Sequence, residues 1–437
     1  MGAFGPVRPP GAAHRGAKKN VAERPRGNEG GRREEENPPG ISAGKAGRLR
    51  DENRFVVPSA PPRAFPGAKA VVSARRISLT PPGPRSSVDH RNPPLRLSIT
   101  ASPADPARAA GIEWSSAGLG GVFAQPGNLL RLAFWNMLGE VPRFNRHAAA
   151  LAGSASDIAH DDSVGDFLAA HRFSKGFRDW YLLPLLGCIW SCPSEQMLRM
   201  PVAAMARFCR DHGILRALRR PRGRSILGGA DVYVRRMLAS LADARLATPV
   251  RRVRRLPIGG ADVSTDRGSE RFDAVVFACH SVDALALLAD PSAEEREVLG
   301  AFHYQRNRAI LHTDVGVLPL REAAWAAWNY EAGRGPADET SAACVHVLVN
   351  RLQRLPFELP VIVSLNPIQE PAAASVQGEF HYAHPIFDRR ALAAQERLPA
   401  LQGRADSWFC GAWTGLGSHE DGLASAFAVC AGLAPRL

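Results

Sequence analysis

A strand, a glycine break and a helix of small residues close the chain, and they constrain its fold more than any other stretch. Trp408-Phe409-Cys410 is short and apolar, Gly411 interrupts it, and a polar loop leads through Ser418-His419-Glu420-Asp421 into Gly422-Leu423-Ala424-Ser425-Ala426 and on to Leu433. A loop entering a helix presents the first N–H groups of that helix without intrahelical partners. The helix dipole favours negative charge at the same place, so the corner suits an anion or an electron-rich ring. The small residues Gly422, Ala424, Ser425 and Ala426 let a flat ring approach the backbone. An ordinary strand-to-helix corner at the end of an α/β domain is written with the same residues. Both readings stay open at this point.

Upstream, Arg271 to Cys279 reads as one continuous buried strand, of the kind found in parallel sheets. Before it, Thr248 to Leu256 is a strand candidate, Gly259-Gly260 a turn, and Ala261 to Thr265 the return strand. Gly228-Gly229-Ala230 opens a helix from Asp231 to about Leu241. Leu130, Phe134, Met137 and Leu138 have helical spacing within Leu129 to Phe144. Asp161-Asp162-Ser163 supplies an N-cap for a helix from Val164 to Ala170. Phe173 to Trp190 is dense in aromatics and serves either as helical core or as the lining of an apolar pocket. From Ala284 to about Arg404 the pattern changes to strands and hairpins: Arg308 to Thr313, Ala324 to Tyr330, Cys344 to Asn350, Val361 to Leu365 and Glu379 to Tyr382. An antiparallel sheet follows.

Several of these runs occur in a shared order that resembles the FAD-dependent amine oxidase-like (flavin amine oxidoreductase) superfamily, and more narrowly a bacterial group of NAD/FAD-binding proteins. They are Gly111-Ile112-Glu113-Trp114, Trp180 to Trp190, Gly228-Gly229 with Tyr233-Val234, Asn307 to Asp314, Trp325 to Tyr330, His384 to Asp388, and the C-terminal motif. The resemblance implies an α/β fold with α+β elements. A Rossmann-like FAD/NAD(P)-binding domain is joined to a substrate domain of antiparallel sheet and helices. The implied parts are a helical segment 111–222, the central FAD-domain part 223–283, the antiparallel substrate sheet 284–404 and a flavin-binding segment 405–437. FAD is the implied cofactor. Its ring and ribityl chain fall to Gly411, Ala412, Trp413, Glu420, Asp421, Gly422 and Leu423, with Val250 toward the adenine and Cys279 near the dinucleotide. The substrate implied is a small organic amine or a lipid-like molecule. No catalytic residue is named, since flavin carries the redox chemistry; His280, at a strand end, is taken as structural.

Three departures matter. Ala412-Trp413 stands where many amine oxidases carry an acid beside the ribityl hydroxyls, which offers Trp413 for stacking instead. Ala426 replaces a frequent glycine. Most seriously, no G-x-G-x-x-G occurs; Gly118-Leu119-Gly120-Gly121 has Phe123 in the third position. The backbone amides of that turn normally solvate the pyrophosphate. The nucleotide-binding domain is therefore expected to be truncated at its N-terminus.

Charge divides the chain at the same place. Residues 1–110 hold 20 Lys+Arg against 9 Asp+Glu, most of the overall +13, with 17 of the 35 prolines and no Trp, Tyr or Cys. So little apolar bulk does not offset ordering entropy of roughly 1–2 kcal/mol per residue, and disorder is expected. A natural basic tail for nucleic acid or anionic lipid is one reading, and a transit peptide, opposed by Glu34-Glu35-Glu36, is another. A wrong start or a frameshift, preferred here, also explains the missing glycine turn. The arginines between Arg216 and Arg224 have no interleaved aromatics and read as a solvated loop, not a specific nucleic-acid surface.

The seven cysteines are irregularly spaced within the rest of the chain and read as buried, reduced thiols of a cytoplasmic protein. Cys188 and Cys192 lack a second Cys/His pair, so no metal site is assigned. No apolar run reaches the roughly 18–20 residues of a membrane span. The rival to the enzyme is a non-catalytic, degenerate flavoprotein fold whose basic tail binds nucleic acid or anionic surfaces.

Overall fold

The computed structural model describes residues 90–94, 97–101, 112–153, 162–216, 222–226, 229–332, 343–353, 355 and 358–436. Expectations for residues 1–89, and for Gly228, Arg219 and Arg220, lie outside these. The first strands, β1 (His90–Pro94) and β2 (Leu97–Ala101), fall within the stretch that composition assigns to the tail. β3 (Ile112–Ser115) follows, and β4 (Arg222–Ser225) pairs with β1. A meander comes next: β5 (Val250–Arg255), β6 (Ala261–Thr265) and β7 (Gly268–Phe272). Then come β8 (Val275–Phe277), β9 (His303–His312), β10 (Trp328–Glu331), β11 (Cys344–Leu348), β12 (Ile362–Leu365), β13 (Val376–Ile386) and β14 (Ser407–Phe409).

Seven strands form the main sheet in the order β13-β9-β12-β11-β10-β2-β3. It is antiparallel as expected except that β2 runs parallel to β10, with Leu97 opposite Trp328 and Thr100 opposite Glu331. β2, within the stretch 1–110 that composition sets apart, is hydrogen-bonded between β10 and β3. Limited proteolysis of the full chain is expected to halt N-terminal to His90. A resistant fragment beginning near residue 111 would show that β2 is dispensable to the sheet.

Helices cover one sheet face. Helix Leu132–Gly153 buries Phe134, Met137 and Phe144, and helix Val202–Asp211 packs against it with Val202, Met205 and Cys209. Leu130, expected inward, is 90% exposed because a 3-10 turn, Pro126–Leu130, precedes the helix and resets its phase. Phe177, Leu182 and Leu186 are fully buried, so the aromatic stretch is mainly core, the first of its two readings. Pro184 interrupts that stretch without ending it. The π-turn Arg178–Leu182 widens the helix just before helix Leu183–Trp190, where the proline lacks an N–H and crowds the carbonyl four residues back. Gly187 lets this helix lie on the sheet; a Cβ there would sit 2.7 Å from the Tyr330 ring.

The expected single strand from Arg271 to Cys279 is two strands. β7 is an exposed edge of the meander, and only Val275–Phe277 is the buried strand β8. The chain changes sheets at exposed Asp273, a charge that a buried strand cannot hold unpaired. β8 pairs with β14 in parallel, Phe277 opposite Phe409. Among the described residues that parallel sheet has two strands. The seven cysteines are all free, and Cys430 is exposed rather than buried.

Candidate functional site

The β14 corner folds as its residues dictate. Phe277 and Phe409 stack at 5.2 Å between centroids and sink into the core shared with the meander. Gly411 then adopts φ +144°, a conformation that side chains other than hydrogen rarely allow. Its N–H donates to Ser425 Oγ at 2.9 Å, and the Ser425 hydroxyl donates to the Gly422 carbonyl at 2.7 Å. Ser425 thereby ties the strand end to the helix.

Helix His419–Leu433 begins with a capping box. Ser418 Oγ accepts from Asp421 N at 3.1 Å, while Asp421 Oδ2 accepts from Ser418 N at 2.8 Å, Ser418 Oγ at 2.7 Å and Leu416 N at 3.1 Å. The Asp421 carboxylate is therefore committed to its own loop. Glu420 is exposed beside it in the first turn. Gly422 faces Ala412, and a Cβ built on it would make ordinary contact at 3.6 Å with Ala412 N. Leu423 and Phe427, one turn apart, are 44% and 66% exposed and form an apolar stripe on the open side of the helix.

Trp413 is placed differently from the expectation. Its indole is 3% exposed, packs edge-on against Phe302 at 4.9 Å and donates to the Cys279 carbonyl at 3.0 Å. It has no free face with which to stack on a ring; it is core. Cys279 joins this cluster through its carbonyl, and Val250, 5% exposed, belongs to the same core on β5. The corner thus gathers Cys279, Gly411, Ala412, Trp413 and Gly422, whereas Val250 offers its side chain only to packing.

Other residues complete the surroundings; His280, Trp190 and His384 stand in runs noted above, whereas no spacing points to Gln395 or Tyr304. Gln395 Nε2 donates to the carbonyls of Trp413 at 2.8 Å and Gly415 at 2.7 Å, closing the loop from beneath. Trp190 Nε1 donates to the Leu416 carbonyl at 3.1 Å, which brings the aromatic helix to the corner. His280 stacks on Tyr304 at 4.4 Å, and burial lowers its pKa, the nearby Asp283 opposing. The Tyr304 hydroxyl accepts from Ser281 N at 3.0 Å; burial pushes its pKa up to about 12. His384 has a defined tautomer. Arg308 N donates to Asn366 Oδ1, Asn366 Nδ2 to Asn307 Oδ1 at 2.7 Å, and Asn307 Nδ2 to His384 Nδ1 at 2.8 Å. Each amide in that chain has one orientation, so the neutral His384 carries its proton on Nε2. Burial, then the nearby His280, hold its pKa below the ordinary histidine value.

Solved structures sharing this fold include a redesigned putrescine oxidase, with a TM-score of 0.54, 12% identity and coverage of 80% of this chain and 83% of that one. The cyclohexylamine oxidase from Brevibacterium oxydans gives 0.51 at 12% identity, covering 78% and 82%. The CLA-producing fatty acid isomerase from P. acnes gives 0.50 at 12% identity, covering 78% and 80%. No protein-family model matches the chain, and no curated protein matches it in sequence. At such identities the likeness shows the fold alone. The chain has the fold of these proteins.

Proposed function

We propose that the chain is a FAD-dependent oxidoreductase of the amine oxidase-like type, or the remnant of one, that binds the flavin ring at the β14 corner. The observation that carries this reading is the corner itself, on a fold shared with two amine oxidases: Gly411 at positive φ, the open Gly422 face and the exposed Leu423–Phe427 stripe. These residues fit a flat, partly apolar ring. The diphosphate has no counterpart among the described residues, and Glu420 and Asp421 place negative charge at the N-terminus of helix His419–Leu433. Gly411, Ala412 and Gly422 would hold the ring by backbone approach, Leu423 by apolar contact.

Bound flavin supplies a two-electron acceptor for hydride from carbon. The chain's own part is to position it and exclude water, with Gln395 and Trp190 fixing the loop against the aromatic helix. For substrate we favour a small amine or lipid-like molecule, since the fold is shared with a putrescine oxidase, a cyclohexylamine oxidase and a fatty acid isomerase.

Absorbance of the purified full chain after incubation with FAD tests the reading. Retained flavin bands are expected, and Gly422→Val should abolish them while lowering the thermal midpoint less than a change at Gly411, since a Cβ there makes only ordinary contact. A colourless protein that instead binds DNA or anionic vesicles in a salt-sensitive way would establish the non-catalytic alternative.

A further inference from the structure

We propose that Glu331, Cys344 and His346 form a site for a divalent transition-metal ion of the zinc class, set in the main sheet and separate from the flavin corner. All three side chains are buried, and one ligating atom of each lies within 4.8 Å of the others. β10 and β11 place Glu331 directly opposite Cys344, and His346 two residues on shares their face. His346 Nε2 is 3.2 Å from Glu331 Oε2 and 3.4 Å from Cys344 Sγ, and Sγ is 3.7 Å from Oε2. A tetrahedral ion with nitrogen and oxygen ligands near 2.0–2.1 Å and sulfur near 2.3 Å separates its ligand atoms by roughly 3.3–3.6 Å. The observed edges of 3.2, 3.4 and 3.7 Å lie in or just outside that range.

Charge favours the same ion. A thiolate and a carboxylate contribute two negative charges to a buried site, and a divalent cation held with a neutral imidazole cancels both. Soft sulfur beside imidazole selects zinc over calcium or magnesium.

The far side of the imidazole is also built. Asp314 N donates to His312 Nδ1, so the proton of neutral His312 lies on Nε2, 2.7 Å from Ser364 Oγ. Ser364 Oγ is likewise 2.7 Å from His346 Nδ1. Without metal, the Ser364 hydroxyl accepts from His312 and donates to His346 Nδ1, and His346 Nε2–H donates to Glu331 Oε2. On metal binding the imidazole proton moves to Nδ1, where Ser364 Oγ, with two lone pairs, accepts from both rings and frees Nε2 for the ion. On binding, the Cys344 S–H bond breaks, the proton leaves to solvent and the metal–sulfur bond forms. No fourth Cys, His, Asp or Glu joins the group among the described residues, so water completes the tetrahedron.

Cobalt(II) titrated into the metal-free full chain is the probe. A thiolate-to-cobalt charge-transfer band should saturate at about one ion per chain, with a rise of several degrees in thermal midpoint when zinc is added instead. Cys344→Ser and His346→Gln should each lose the charge-transfer band, and Cys410→Ser, a buried thiol elsewhere, should keep it. A folded wild-type chain that shows no band overturns the proposal. So does an undiminished band in Cys344→Ser. Should that variant fail to fold, the wild-type stoichiometry and His346→Gln decide alone.

Discussion

Gly411→Val is expected to destabilise the chain by about 2–6 kcal/mol and to remove flavin binding with it. Two costs combine. At φ +144° a β-branched residue is strained, on the order of 1–3 kcal/mol. The new Cβ would also lie 2.8 Å from Trp413 Nε1 and 2.9 Å from Trp413 Cδ1, and Trp413 cannot yield. It is wedged against Phe302 and bonded to the Cys279 carbonyl, so the overpacking adds roughly another 1–3 kcal/mol. Denaturant titration should show a lower midpoint with an unchanged slope. The contrast with Gly422→Val separates fold from cofactor, because a Cβ at that position makes only ordinary contact. A Gly411→Val protein as stable as the parent would mean that the corner relaxes freely and is no rigid cradle.

The sequence made the β14 corner legible because its signals are local: an apolar triplet, a glycine and a Ser418-to-Asp421 cap three residues apart. The same holds for strands β9 to β13 of the main sheet, which lie near their expected places, whereas β2 and β3 were not expected. What it hid depends on distant partners. Trp413 looked like a stacking residue, and only the approach of Phe302 and of the Cys279 carbonyl makes it core. Asp421 looked like a ligand for the cofactor until its oxygens were found accepting from Leu416 and Ser418. The Glu331, Cys344 and His346 group spans two strands, and its Ser364 and His312 support lies on two more, so no spacing along the chain announces it. The break between β7 and β8 rests on one charged residue within an apolar run, too small a change for periodicity to register.

Glu295→Ala should be as damaging, at roughly 3–5 kcal/mol, although it lies far along the chain from the corner residues. Its carboxylate, 3% exposed, grips the Arg255 guanidinium through bonds of 2.5 and 3.0 Å, and the Arg255 side chain is itself 9% exposed. The pair fastens β5 of the meander to helix Ala293–Leu299, where Glu295 also accepts from Ser292 N at 2.7 Å to close a capping box. Removing the acid leaves a buried guanidinium that cannot deprotonate, with only the Asp290 carbonyl and, at 3.3 Å, its exposed carboxylate to face it. Replacing both partners by leucine should restore much of the loss, since the uncompensated charge goes too. The pH dependence has a definite sign. Burial alone would raise the Glu295 pKa, but the bonds from Arg255 and Ser292 outweigh it and hold the group below its ordinary value. The folded chain thus binds fewer protons here than the unfolded chain. This contribution is complete above the usual glutamate range near pH 4.3 and is lost as the pH falls through the lower folded value. Unfolding free energy of the parent, measured downward from pH 5, should fall more steeply than that of Glu295→Gln. Parallel slopes in the two proteins would remove the ion pair from the account of acid stability.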